Sequence, residues 1–271
     1  MLPVLAFGQG ARQADIIPGR TPVSPTFEEY FDAAQAGAAA PDADGFIRRW
    51  VILEPISKPN RSNTVFTDSY LREAFSKQYF KGQLGVLPKD GAKEKVMVEV
   101  APEAPAFFAP GQQPQTPEPK FEKRTLQWHA VDSKLFNVKL FRFAAGLQKD
   151  VYGVVFYMAT VIECEEDIPD VRLAVGTNGG SMWWLNGEEV LLMSSDRRMV
   201  EDDCMSGRIT LKKGRNVICL KIRSGHSSCG FWANLSEPGA DLSDGTDAAA
   251  KKISIYDTEI PVATPFSYSY W

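Results

Sequence analysis

The sequence predicts an all-β protein built as a sandwich or barrel, and three observations carry that prediction. Short apolar stretches recur along residues 135–235, separated by Gly, Asn, Asp and Ser. Such spacing belongs to antiparallel sheets rather than to alternating strand and helix units. The segment Leu185-Asn186-Gly187-Glu188 carries Asn-Gly, the preferred centre of a two-residue type I′ hairpin, because both positions need positive φ. A chain of 271 residues is also within reach of one large sandwich with additions.

Taken in order, residues 1–44 read as a leader. The opening MLPVLAFGQGA is a short apolar run ending in small residues, without the basic start of a complete secretory signal. It reads equally as the tail of a trimmed signal or as an ordinary N-terminus. A short helix is expected at 26–39, with Thr26 as cap and Glu28 and Glu29 in its first turn. From Gly45 the text FIRRWVILEPI has strand character, and residues 45–236 are expected to form the sandwich. An excursion interrupts it at about 66–120: a helix at 68–80, with Leu71, Ala74, Phe75 and Tyr79 on helical spacing, and then a Pro- and Gln-rich loop at 101–119. Strands follow at 135–143, 152–163, 171–175, 181–185, 188–193, 208–211, 216–223 and 230–235. The tail, 237–271, is acidic and Gly-rich before KKISIYDTEI, which reads as an edge strand.

In the hairpin, regular pairing from the turn sets Trp183 against Val190 and Met182 against Leu191. Met182, Trp184, Leu191 and Met193 then share one face, and Ser181, Trp183, Leu185, Val190 and Leu192 the other. Both faces are too apolar for either to be simply wet. One is expected to build the inter-sheet core, with the leader helix or the tail covering the other.

Composition limits the chemistry. The net charge of −4, without a long basic run, argues against nucleic acid as a partner. No stretch approaches the ~18 apolar residues of a membrane span. The only histidines are His129 and His226, so any Ser-His or Cys-His mechanism must use one of them. The text GHSSCG at 225–230 misses the G-x-S-x-G elbow by Cys229, and no histidine follows Ser227. His129 is expected to meet Asp132 in a structural hydrogen bond. The acids are abundant but sit on links and hairpin ends, so no carboxylate pair stands out for glycoside hydrolysis. No catalytic residues and no metal ligands are assigned; structural calcium remains compatible with the oxygen-rich loops, without EF-hand spacing. The four cysteines, at 164, 204, 219 and 229, fit either buried free thiols or one or two disulfides. If 216–223 and 230–235 pair through a turn at 224–229, Cys219 faces Ala233 and Cys229 faces Arg223, which disfavours a direct Cys219–Cys229 bond.

The segments YMATVIECEEDIPDVRLAVGTNGGSMWWLNGEEV, DRRMVEDD, RITLKKGRNVICLKIRSG and GFWANL carry a family pattern. It consists of a strand, an acidic link, a Gly-bounded turn, a Trp-Leu-Asn-Gly hairpin, an Arg/Asp-rich crossing loop, a Lys-Lys-Gly-x-Asn turn and a closing aromatic strand. Residues 157–235 thus resemble the galactose-binding-like jelly-roll domains attached to secreted bacterial glycoside hydrolases and to carbohydrate esterases such as acetylxylan esterases. The resemblance implies a jelly-roll β-sandwich with one or two peripheral helices. It also implies an extracytoplasmic site, secreted, periplasmic or at the bacterial cell surface. The implied role is non-catalytic: oligo- or polysaccharide binding, or service as an accessory to a catalytic partner protein. An esterase- or glycosidase-like enzyme and a protein-interaction domain are the alternatives. Candidate carbohydrate-binding residues are Trp183, as a partly exposed platform for a sugar ring, with Asn178, Arg197, Arg198, Asp202 and Asp203 as hydrogen-bonding groups; for the last four the alternative, and favoured, reading is an Arg-carboxylate pin of the crossing loop. Where many relatives carry paired acids before the hairpin, this chain has Thr177, Asn178, Gly179 and Gly180.

Overall fold

The computed structural model describes residues 25–35, 37, 39, 46–58, 72, 75, 78–84, 88–100, 120–193, 204–224, 229–236 and 253–254. Its strands, in chain order, begin with β1 (Phe31–Ala33), β2 (Arg49–Leu53), β3 (Ile56–Ser57), β4 (Lys93–Val100) and β5 (Lys120–Ser133). Next come β6 (Val154–Cys164), β7 (Ile168–Thr177), β8 (Ser181–Leu185), β9 (Glu188–Met193) and β10 (Cys204–Met205). The last are β11 (Ile209–Leu211), β12 (Gly214–Ser224), β13 (Phe231–Ser236) and β14 (Ile253–Ser254). Every pairing between them is antiparallel.

A large sheet runs β1-β5-β2-β6-β12-β8-β9, with β4 added to β5 and β3 and β14 added to β6. A small sheet is organised on β7, whose Val175 pairs with Ala233 of β13 on one edge and Cys204 of β10 on the other; β11 pairs near its start. Trp50, Ile52, Phe156, Met158, Leu220 and Ile222 of the large sheet meet Leu173, Val175, Ala233 and Leu235 of the small sheet in one core. The all-β sandwich is therefore the fold of this chain.

Alternation along each strand sends the neighbouring side chains to the opposite face of the large sheet. Val51, Leu53, Val155, Tyr157, Met182, Trp184 and Cys219 form a second core there. Its cover is Phe75, Tyr79 and Phe80 together with Val96, Val98 and Trp128. The cover thus comes from the 72–84 segment and the β4–β5 hairpin, not from the leader or the tail. Arg72 and Phe75 are helical, within the helix expected at 68–80. Strand β4 and the first half of β5 lie inside or beside a span read only as an excursion; residues 101–119 themselves lie outside the described residues.

Four expectations are corrected. Residues 135–143 do not form a strand: Val138 makes an isolated bridge to Phe231, and a helix occupies Leu140–Gly146. Leu140, Phe143, Ala144 and Leu147 recur at helical spacing and are all buried, so the apolar density served period 3.6 rather than 2. The leader helix is one turn, Pro25–Glu28, after which β1 pairs with the end of β5. Phe27 and Phe31 pack on Phe143 of the later helix, which accounts for their helix-like spacing without a longer helix. Strands β12 and β13 do not pair with each other, since β12 lies between β6 and β8 while β13 joins β7 in the other sheet. The opposition of Cys219 to Ala233 does not occur, and all four cysteines are free thiols.

The hairpin turn itself is as expected, with Asn186 at φ 51° and Gly187 at φ 88°. Its ladder is irregular beyond the second pair: Trp184 faces Glu189, but Trp183 faces Leu191 and Met182 faces Leu192. Val190 is the extra residue of a β-bulge. One inserted residue reverses the face of all that follow. Leu191 and Met193 therefore join Trp183 and Leu185 in the inter-sheet core, not Met182 and Trp184.

Candidate functional site

Trp183 has no face to offer a ligand. It is 0% exposed, lies edge-on to Trp50 and Phe231, and its indole Nε1 donates to Ser181 Oγ at 3.0 Å. The expected platform is a core side chain, because β8 is an interior strand between β12 and β9 with both faces covered. Asn178 sits in the turn after β7, where its Oδ1 accepts from the Gly230 backbone N–H at 2.9 Å and ties that turn to the start of β13. Arg197, Arg198, Asp202 and Asp203 lie outside the described residues, as do His226 and Ser227.

His129 does not bond Asp132. That carboxylate takes a bidentate contact from Arg49, at 2.6 and 2.7 Å, which ties β2 to β5. His129 instead stands edge-on to Phe143, with Nε2 3.6 Å from Glu54 Oε1. Among the described residues, no three His, Cys, Asp or Glu side chains gather as a metal site.

A candidate site lies elsewhere among the described residues. A cleft of about 460 Å³ opens between β3, the β4–β5 hairpin and the segment 149–154. Pro55, Val98, Val100, Leu126 and Val154 give it an apolar floor; Ser57, Arg124, Lys149 and Asp150 supply polar groups at its walls. Tyr152 stands among them and is 56% exposed, the most exposed large hydrophobic side chain described.

Local chemistry explains how these groups arrive together. The Leu140–Gly146 helix ends in a left-handed residue, Gln148 at φ 57°, and Lys149 N–H closes back onto Ala144 O at 2.9 Å. This turn throws Lys149 and Asp150 outward. Gly153, at φ 59°, then redirects the chain into β6, and its carbonyl accepts from Lys58 N–H at 2.7 Å. Tyr152 is left at the crest between two tethered points. Beneath it, Glu54 is only 3% exposed; its Oε2 accepts from Gln127 N–H at 3.3 Å and lies 3.3 Å from Lys149 Nζ. A buried carboxylate thereby holds the Lys149 ammonium in place. Across the cleft, Arg124 holds Glu122 through Nε and Nη2 at 3.1 and 2.6 Å. None of these residues was singled out in the sequence. The available signal was Lys-Asp-Val-Tyr-Gly at 149–153, a polar turn with one aromatic between two apolar runs.

A second cluster is closed rather than open. Lys221 on β12 is 0% exposed, yet its Nζ lies 5.4, 5.7 and 5.5 Å from the ring centres of Tyr79, Tyr157 and Trp184 and donates to the Phe75 carbonyl. Burial pulls its pKa down to about 7 and pushes the neighbouring Cys219 thiol up to about 11. The Tyr157 phenol, also raised by burial, donates to the Gln83 carbonyl. Together these contacts fasten the 72–84 segment to the sheet.

No protein-family model matches the chain, and no curated protein matches it. Among solved structures, a β-glucosidase from Kluyveromyces marxianus aligns with TM-score 0.30 and 21% identity, over 43% of this chain and 15% of that enzyme. The PA14 domain of the antifreeze protein MpAFP aligns with TM-score 0.36 and 10% identity, over 88% of this chain and 98% of that domain. The chain thus spans a small part of the enzyme's length. At these scores neither likeness decides the function.

Proposed function

We propose that the protein is a non-catalytic carbohydrate-binding domain, an accessory to polysaccharide breakdown outside the cytoplasm of a bacterium, and that its ligand seats in the cleft at Tyr152. The observation that carries this reading is an exposed aromatic ring at the rim of a cleft that also presents Arg124, Lys149 and Asp150. Sugar rings have apolar C–H faces and polar edges, so a ring to stack on beside directional hydrogen-bonding groups matches their chemistry. Stacking one sugar on Tyr152 contributes on the order of 1–3 kcal/mol, which makes for weak, repeat-dependent binding. The resemblance of 157–235 to carbohydrate-associated jelly-roll domains supports the same ligand class.

The test is affinity electrophoresis and calorimetry of the full chain against plant and bacterial polysaccharides. Replacing Tyr152 by Ala is expected to weaken saccharide binding by about tenfold, the equivalent of roughly 1.4 kcal/mol. The melting temperature should stay unchanged, since the ring is exposed. Undiminished binding by Y152A would remove the cleft from this role.

A further inference from the structure

We infer that the cleft selects a saccharide unit bearing a carboxylate, a uronic acid, rather than a neutral sugar. This rests on the proposed binding role of the same cleft and adds the chemical class of its ligand. Its polar lining carries two cations, Arg124 and Lys149, and one carboxylate, Asp150. Glu122 and Glu54 pair with those cations from outside the lining, so the case for a carboxylate ligand rests on the donors the two cations leave open, not on a net positive charge.

The two cations are differently prepared. Arg124 is held along one edge by Glu122, while its Nη1 has no hydrogen-bond partner among the described residues. Its side chain is 58% exposed, so the remaining donors face solvent at the cleft. A guanidinium has five donors in a planar fork and can bridge two carboxylates. Lys149 is fixed from behind by the buried Glu54, which is also shared with His129 and the Gln127 N–H. With 35% of its side chain exposed, its ammonium keeps donors for a second partner. A uronate on the Tyr152 ring would place its carboxylate against these donors and its hydroxyls against Asp150. Charge-assisted hydrogen bonds are roughly twice as strong as neutral ones, so the acid form gains over its neutral counterpart.

The discriminating probes are oligogalacturonate and the same oligosaccharide with every carboxyl methyl-esterified, titrated into the full chain by calorimetry. The acid form is expected to bind about tenfold tighter. That margin should shrink when salt rises from about 0.1 M to about 1 M, because the exposed charges are then screened. Arg124→Gln, an exposed substitution that leaves folding intact, should remove most of the margin, weakening the acid form several-fold more than the ester. Lys149→Met should do the same, with circular dichroism confirming that Glu54 tolerates the loss. Equal affinity for acid and ester would overturn the uronate inference and leave the binding role standing. Equal binding of polyglutamate would overturn it as mere charge attraction. Binding of neither oligosaccharide, with other glycans bound through Tyr152, would also sink it; no glycan bound at all would sink both readings.

Discussion

Lys221 shows what a single residue can demand of its surroundings. An ammonium in a fully buried position loses its hydration, and the Phe75 carbonyl and three ring faces stand in its place. Desolvation wins and the folded-state pKa falls to about 7 from an ordinary 10.5. The sign of the pH effect follows. Between those values the unfolded chain holds a proton that the folded chain does not, so stability rises with pH; below about 7 both forms are protonated and the slope vanishes. Cys219, raised from 9.0 to about 11, imposes the opposite slope above pH 9. The informative window is therefore pH 7 to 9. Urea unfolding of the native chain should show stability increasing across it, and Lys221→Met should be at least as stable at pH 7 with the increase reduced. An unchanged slope in the variant would show that Lys221 keeps its proton in the fold. The sequence shows Lys221 only as one polar letter in VICLKIRSG, at the period expected for a wet face. Nothing local tells that a segment some 140 positions earlier roofs that face.

At the scale of elements, the hairpin separates what sequence pattern determines from what it leaves open. Asn186-Gly187 demanded positive φ at both positions, and the turn forms there, with strands bounded by Ser181, Leu185, Glu188 and Met193 as expected. The bulge was hidden, because Glu-Glu-Val-Leu-Leu-Met is apolar at every position after the acids and either register buries something. The same ambiguity makes 135–143 read as a strand, where the fold has a lone bridge at Val138 and a helix from Leu140. Tertiary contacts decide both cases: Leu191 and Met193 are needed in the inter-sheet core, and Phe143 is needed against Phe27 and Phe31. The bulge has a direct test in deletion of Val190. Because Glu189 already faces Trp184 and Leu191 already faces Trp183, the deletion leaves a regular ladder with every later side chain on its present face. Only the half-buried Val190 contacts are lost, so the expected change is about 1 kcal/mol. Were the native ladder regular, the deletion would turn Leu191 and Met193 out of the core and cost roughly 4 kcal/mol or more.

At the scale of the molecule, the large sheet is a middle layer. Trp50, Trp183, Phe156 and Leu220 pack toward the small sheet, while Trp128, Trp184 and Tyr157 pack toward the 72–84 segment and the β4–β5 hairpin. This explains why the strands read as nearly continuous apolar runs, a pattern of sheets covered on both faces. It also explains why the sandwich was legible and the candidate site was not. The sandwich rests on local turn chemistry repeated along one stretch, whereas the cleft joins Ser57, Arg124 and Tyr152 across three separate parts of the chain. The described part of the excursion is then a structural layer, and Phe80 is its keystone, edge-on to both Trp128 and Tyr157 with centroids at 5.9 and 5.4 Å. Phe80→Ala should cost about 3–5 kcal/mol in urea unfolding, the cost of an aromatic deleted from a packed core. The uncovered Trp128 and Trp184 should become accessible to acrylamide quenching, while the opposite core, with Trp50 and Trp183, stays protected. A cost below about 1 kcal/mol would mean that the segment rests on the sheet without sealing it, since a loosely held ring forfeits little when removed.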